Sequence, residues 1–148
     1  MILISVYESE SAPLTLYELL KKRSTTHSIS HNAVPEYAEH ELFVQSKPYR
    51  YWYLVTLDGT TIGSTYITEN NEIGVFLIDE FSHLQSDLLG KMVNNHEPLP
   101  AVKSKRVGQF SINSNPGNAS LISAILSTGG VHVQNSYLLS KATKSKPE

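Results

Sequence analysis

The residues best suited to chemistry lie in one stretch, residues 70–92, Asn-Asn-Glu-Ile-Gly-Val-Phe-Leu-Ile-Asp-Glu-Phe followed by Ser-His-Leu-Gln-Ser-Asp-Leu-Leu-Gly-Lys-Met. It begins with a carboxylate, Glu72, a candidate general base that could take a proton directly or through water. The same residue also reads as a solvent-facing acid at a strand start. The apolar run Val75, Phe76, Leu77 and Ile78 predicts a buried strand, and a short loop with Ser82, His83, Gln85, Ser86 and Asp87 leads into a helix. Strand, loop and helix in that order can aim a row of backbone N–H groups at an anionic ligand. Tyr66 and Tyr137 are candidate acids, although a strand tyrosine also serves simply to pack its ring and wet its hydroxyl.

The six histidines invite a metal reading. His27 and His31 are four apart in a polar segment and His40 is isolated, which is not a recognised ligand set, so no metal is expected. The absence of cysteine excludes disulfides, a thiolate nucleophile and Cys-based zinc or iron–sulfur sites. A formal charge of -2 over 148 residues gives no general attraction to nucleic acid or to an anionic membrane, so neither is expected as a partner. No apolar run approaches the roughly 20 residues of a membrane span, and a cytoplasmic protein is expected.

The elements that must position these residues are legible in order. With 40% hydrophobic residues the chain suits one domain over 1–140, followed by a polar, basic tail over 141–148 that is expected to be disordered. Residues 2–7 predict a strand. Thr15 and Glu18 form a candidate capping box for a helix carrying Leu16, Leu19 and Leu20 and closing on Lys21, Lys22 and Arg23. After a polar loop, Pro35 opens a second helix that Pro48 cannot continue. Residues 51–57 predict a strand, Asp58-Gly59 a two-residue hairpin turn, 61–67 a second strand, and Asn70-Asn71 a turn into a third over 72–78. A helix over 84–95, a strand over 109–113, a helix over 118–128 after Asn115-Pro116-Gly117, and a closing strand over 131–139 complete the pattern. This is an α/β (α+β) arrangement, a mixed and mostly antiparallel central sheet with helices on both faces.

This order, together with Gly63 to Ile78, Asn113-Ser-Asn-Pro-Gly-Asn118 before a helix and Gly129 after it, resembles the GNAT superfamily of acetyl-CoA-dependent N-acetyltransferases. The resemblance covers nearly the whole chain. It implies an acyltransferase that moves acetyl from acetyl-CoA, as cosubstrate, to a small primary amine, an amino sugar being one such acceptor. Backbone groups around Val75 to Ile78 would take the acetyl carbonyl and pantetheine arm. The loop from Ser82 through His83, Gln85 and Ser86 to Asp87 would cradle the pyrophosphate, with Asn113 and Asn118 on the coenzyme side. Glu72 would be the base and Tyr137 the acid. His31, Tyr37, His40, Trp52 and Tyr66 would line the acceptor pocket, with Tyr49 beside them. A homodimer is one association state compatible with this reading.

The sequence departs from the family pattern in the loop. Ser82 stands at the Arg/Gln position, and Gln85 and Asp87 stand where the pattern has glycine. A carboxylate at Asp87, about 5 Å from a pyrophosphate charge at an effective dielectric of about 20, would oppose it by roughly 3 kcal/mol, comparable with the whole helix-terminus benefit. Asp87 also reads as a plain first-turn acid stabilised by the macrodipole. Leu121, Ile125 and Gly130 depart from the pattern as well. The alternative expectation is therefore a catalytically degenerate GNAT-like domain acting as a binding or assembly module.

Overall fold

The computed structural model describes residues 1–23 and 34–141. The expected frayed tail falls on 142–148, outside the described residues, apart from Lys141. At the centre is the meander: β2 (Tyr51–Leu57), β3 (Thr60–Ile67) and β4 (Glu72–Leu77), each antiparallel to the next. Local turn chemistry makes it. Asp58 and Gly59 take φ of 50° and 80°, the positive pair a type I′ turn requires, and Asn71 takes 64° before β4. β1 (Ile2–Ser5) pairs antiparallel with β2, and β5 (Ser111–Ile112) lies parallel to β4, giving the order β1-β2-β3-β4-β5.

The mixed, mostly antiparallel sheet carries helices on both faces, and the period-two alternation of its strands feeds two cores. On one face Val55, Ile62, Ile73 and Leu77 meet Leu88, Leu89 and Met92 of α3 (Gln85–Asn95) and Leu121 and Ala124 of α4 (Ala119–Ser127). On the other, Trp52, Leu54 and Phe76 meet Ala12, Leu16 and Leu19 of α1 (Ala12–Lys21) and Val44 of α2 (Tyr37–Gln45). Each fully buried Leu or Ile contributes about 2 kcal/mol by leaving water. Thr56 pairs with Thr61 while Val55 pairs with Gly63, so Ile62 is the extra residue of a bulge. No helix among the described residues is long and apolar enough to cross a membrane.

Four expectations are corrected. The strand over 2–7 ends at Ser5 and tightens into a 3-10 helix over Val6–Glu8. The Thr15–Glu18 capping box does not form: α1 starts at Ala12 with proline in its first turn, and the Thr15 hydroxyl donates back to the Ser11 carbonyl at 3.1 Å. The loop after β4 is a 3-10 helix over Asp79–Leu84 that runs straight into α3. The closing strand over 131–139 is absent, and every residue of that segment is exposed coil. Its alternating pattern is strand-like, but no neighbouring strand satisfies its backbone.

Candidate functional site

The parallel pairing of β4 with β5 lasts for two register pairs, Glu72↔Ser111 and Ile73↔Ile112, and then stops. The Ser111 amide donates to the Asn71 carbonyl at 3.0 Å, which sets the register. Even-numbered positions of β4 face β3, as the Glu72 carbonyl does toward the Thr68 amide and the Ile78 amide toward the Ile62 carbonyl. The N–H and C=O groups of Val75 and Leu77 therefore point into the wedge where β5 has departed. Of residues 75–78, named for the acetyl carbonyl and pantetheine arm, Phe76 and Ile78 instead turn their backbone groups to β3, the Ile78 amide donating to the Ile62 carbonyl at 2.8 Å. The side chains of Phe76 and Leu77 are buried in opposite cores, which holds that edge rigidly.

The loop half is different. The Phe81 amide donates to the Ile78 carbonyl and the Gln85 amide to the Ser82 carbonyl, the i→i+3 pattern of a 3-10 helix. Amides that an open loop would offer to phosphate are thus turned toward the chain's own carbonyls. Ser82 and His83 lie in this 3-10 helix, His83 exposed. The Gln85 side chain is 2% exposed. Its NH2 faces the carbonyls of Ser82 and Ser120, each at 3.2 Å, tying the 3-10 helix to the first turn of α4. Ser86 Oγ meets Ser127 Oγ at 3.0 Å, a second tie between α3 and α4. Asp87 is an exposed first-turn acid of α3. The weight of the two departures is the reverse of the sequence expectation, because the glutamine fills space while the aspartate faces water.

Asn118 does cap α4, its side chain accepting from the Leu121 amide at 3.3 Å. Asn113 is exposed just beyond β5. Asn118 thereby fixes the start of α4.

On the opposite face of β4 the sheet gathers an aromatic cluster. Tyr66 pairs with Gly74 across the sheet, and its ring occupies the space a Cβ at Gly74 would need. Tyr49 stacks on Tyr66 at 3.9 Å between centroids, and Trp52 meets Tyr49 edge-on at 4.9 Å. The Tyr7 hydroxyl donates to the Tyr49 carbonyl at 2.9 Å and accepts from the Tyr49 amide at 3.0 Å. Arg23 lies over the Phe76 ring at 5.0 Å. Burial holds its pKa below the ordinary arginine value, and the neighbouring Tyr66 and Tyr49 phenols oppose that shift. Burial, then the Glu72 carboxylate, pushes the Tyr66 phenol above its ordinary value, and burial does the same more strongly for Tyr49. Both phenols stay protonated at neutral pH, suited to donating a proton and not to accepting one.

The expected acceptor set divides. Trp52 and Tyr66 share this cluster with Tyr49, whereas Tyr37 and His40 belong to a second group around Tyr17, at 5.2 Å and 5.4 Å, between α1 and α2. His31 lies outside the described residues. Tyr137 is 80% exposed on the unpaired C-terminal segment and does not reach Glu72 within this chain. Arg23 went unread as a site residue, since in the sequence it is only the last of three basic residues closing α1. Its role depends on the tertiary approach of α1 to β4, which no local spacing signals.

His40 is a packing histidine. It is buried, with Nε2 2.9 Å from the Pro13 carbonyl, and burial holds its pKa below the ordinary 6.5 against the opposing effect of that carbonyl. A depressed native pKa means that stability is full above about 6.5, where both states are neutral, and falls as pH drops toward the native pKa because the unfolded chain protonates first. The melting temperature is expected to fall on acidification through this window. His40→Gln should flatten that part of the profile; an unchanged slope would remove His40 as its source.

Compared with family models, curated proteins and solved structures, the chain gives no match.

Proposed function

We propose that the chain is a GNAT-like domain that has closed the pyrophosphate half of a coenzyme site and serves as a binding or assembly module. The observation that carries this is the buried Gln85 side chain, bonded to the Ser82 and Ser120 carbonyls where the family pattern requires glycine. A pyrophosphate entering there would have to expel an amide with satisfied partners and open a 3-10 helix. The carboxylates of Glu80 and Asp87, exposed in the same stretch, add negative charge and no compensating cation. The expected result is no saturable heat with acetyl-CoA at millimolar concentration by calorimetry. The paired changes Gln85→Gly and Asp87→Gly should bring a saturable isotherm into the measurable range. Saturable binding by the unaltered protein would overturn the reading.

A second reading, N-acetyl transfer from acetyl-CoA to a small amine, is favoured by the splay of β5 from β4, which leaves the half-buried Val75 without a β5 partner, whereas Leu77 beside it is 1% exposed. Polar donors on that edge could polarise a thioester carbonyl. Glu72 would take the amine proton, and the nearby guanidinium of Arg23 would favour the neutral, nucleophilic amine over its ammonium form. Under this reading the protein releases free thiol from acetyl-CoA in the presence of amines, and Glu72→Gln lowers the rate by 10²-fold or more.

A further inference from the structure

We propose that residues 131–139 form a sixth strand on the outer edge of β5 of a second copy, so that two chains exchange C-terminal arms. This deepens the assembly half of the preceding reading by naming the partner, and its test, a mass, is separate from the coenzyme calorimetry. The arm leaves α4 through Gly129, at φ 90°, and Gly130. The Gly130 amide is held by the Ile125 carbonyl at 2.9 Å, and the residue is pressed against the Ile125 side chain so closely that a Cβ would collide with it. The exit is fixed, and the residues beyond it pair with no strand among the described residues. Beyond it residues 131–141 are all exposed, and the side-chain bonds seen are local ones, His132 Nε2 with the Gln134 carbonyl and Gln134 Nε2 with Ser136 Oγ.

The arm has the composition of a half-buried strand. Val131, Val133, Tyr137 and Leu139 fall on one face with Asn135, and His132, Gln134, Ser136 and Ser140 fall on the other with Leu138. Exposing that apolar face in a monomer costs the hydrophobic stabilisation its burial would provide, and Leu139 is 96% exposed. The complementary feature is β5. It ends the sheet, with no neighbour among the described residues on its outer side, and Phe110 and Ile112 beside that edge already pack on the core formed with α3 and α4. Neither residues 131–140 nor residues 109–113 contain a charged side chain, so the usual protection of a sheet edge by charge is missing from both. Nine extended residues reach about 30 Å, enough to cross to a neighbouring molecule. Two identical arm-to-edge contacts related by a two-fold axis close on themselves, so the exchange stops at two chains. The same exchange is the route by which Tyr137 would return to the β5 side of the wedge.

Light scattering and sedimentation over micromolar to millimolar concentration should report a dimer of the full chain. Truncation after Gly130 should give a monomer. Val133→Pro, which removes a strand donor from a segment that is exposed throughout, should raise the dissociation constant at least about a hundredfold without altering the monomer's spectrum. In the dimer, amides of residues 131–139 should exchange slowly. A chain that stays monomeric throughout overturns the proposal, whether its arm amides are open or are protected by folding onto its own β5. A dimer that survives both the truncation and the proline also overturns it.

Discussion

Gly63→Ala is expected to destabilise the protein by about 3 kcal/mol or more, an unusually large effect for one added methyl. Gly63 sits beside the bulge at Ile62 and pairs with Leu77 across β3 and β4. A Cβ there would run into the Phe76 carbonyl oxygen, with Leu77 Cδ2 at 2.8 Å and Leu77 Cα at 3.0 Å. Two of these obstacles are backbone, so no rotamer change relieves the overlap and the strands must separate. Separation would loosen Ile62 and Leu77, both essentially inaccessible, and would shift Phe76 in the opposite core. At about 2–4 °C per kcal/mol for a chain of this size, thermal unfolding should fall by roughly 10 °C. Gly90→Ala is the internal contrast: a Cβ there meets nothing within 4 Å in α3, so the change should raise stability by about 0.5–1 kcal/mol. A Gly63→Ala protein melting within a degree or two of the parent would show that β3 and β4 do not meet as closely as described.

The contrast between these glycines also marks how far the sequence could be read. The meander was legible because its determinants are local. Asp58-Gly59 sets a turn by the conformations its residues tolerate, and period-two alternation in β2 and β4 sets which side chains face which core. The helix after Asn115-Pro116-Gly117 was legible for the same reason, because that turn marks its start. The 3-10 helix over Asp79–Leu84 was not, because Asp-Glu-Phe-Ser-His-Leu carries no helical period long enough to read. Residues 131–139 have a genuine strand pattern, but pattern specifies a preference and not a neighbour. A strand forms only where an edge is within reach. The site divides in the same way. The departure of β5 beside Val75 is what the GNAT resemblance implies, and no local pattern in the sequence announces it. The plug formed by Gln85 depends on a carbonyl of Ser120 brought in by α4, and the aromatic cluster depends on Tyr49 and Arg23 arriving from separate elements.

Asn71 is where local and distant determinants meet, and Asn71→Ala is expected to cost about 3–4 kcal/mol. The residue is 0% exposed and holds a φ of 64°, a conformation that asparagine tolerates better than most residues. Its Nδ2 donates to the carbonyls of Leu99 and Val107, each at 2.9 Å, and its Oδ1 accepts from the Leu99 amide at 2.7 Å. One side chain thus closes both ends of the connection between α3 and β5, while its backbone carbonyl accepts the Ser111 amide that starts the parallel pairing. Alanine would leave three part-buried backbone groups without this partner, each worth about 1–3 kcal/mol unless water reaches it, and would add roughly 1 kcal/mol for an L side chain at positive φ. Asn71→Gly keeps the backbone conformation and loses the same hydrogen bonds. The order of stability should therefore be parent, then glycine, then alanine, with the step between the last two isolating the backbone contribution. Both variants should also lose amide protection at Ser111, because the register of β5 is set beside Asn71. β5 leaves Val75 unpaired only because it is fixed at Glu72 and Ile73 and then departs, so freeing Ser111 should alter that departure. Equal melting temperatures for the alanine and parent proteins would mean that the connection is held elsewhere. Loss of stability with Ser111 protection intact would separate the buried side-chain network from the geometry of the candidate site.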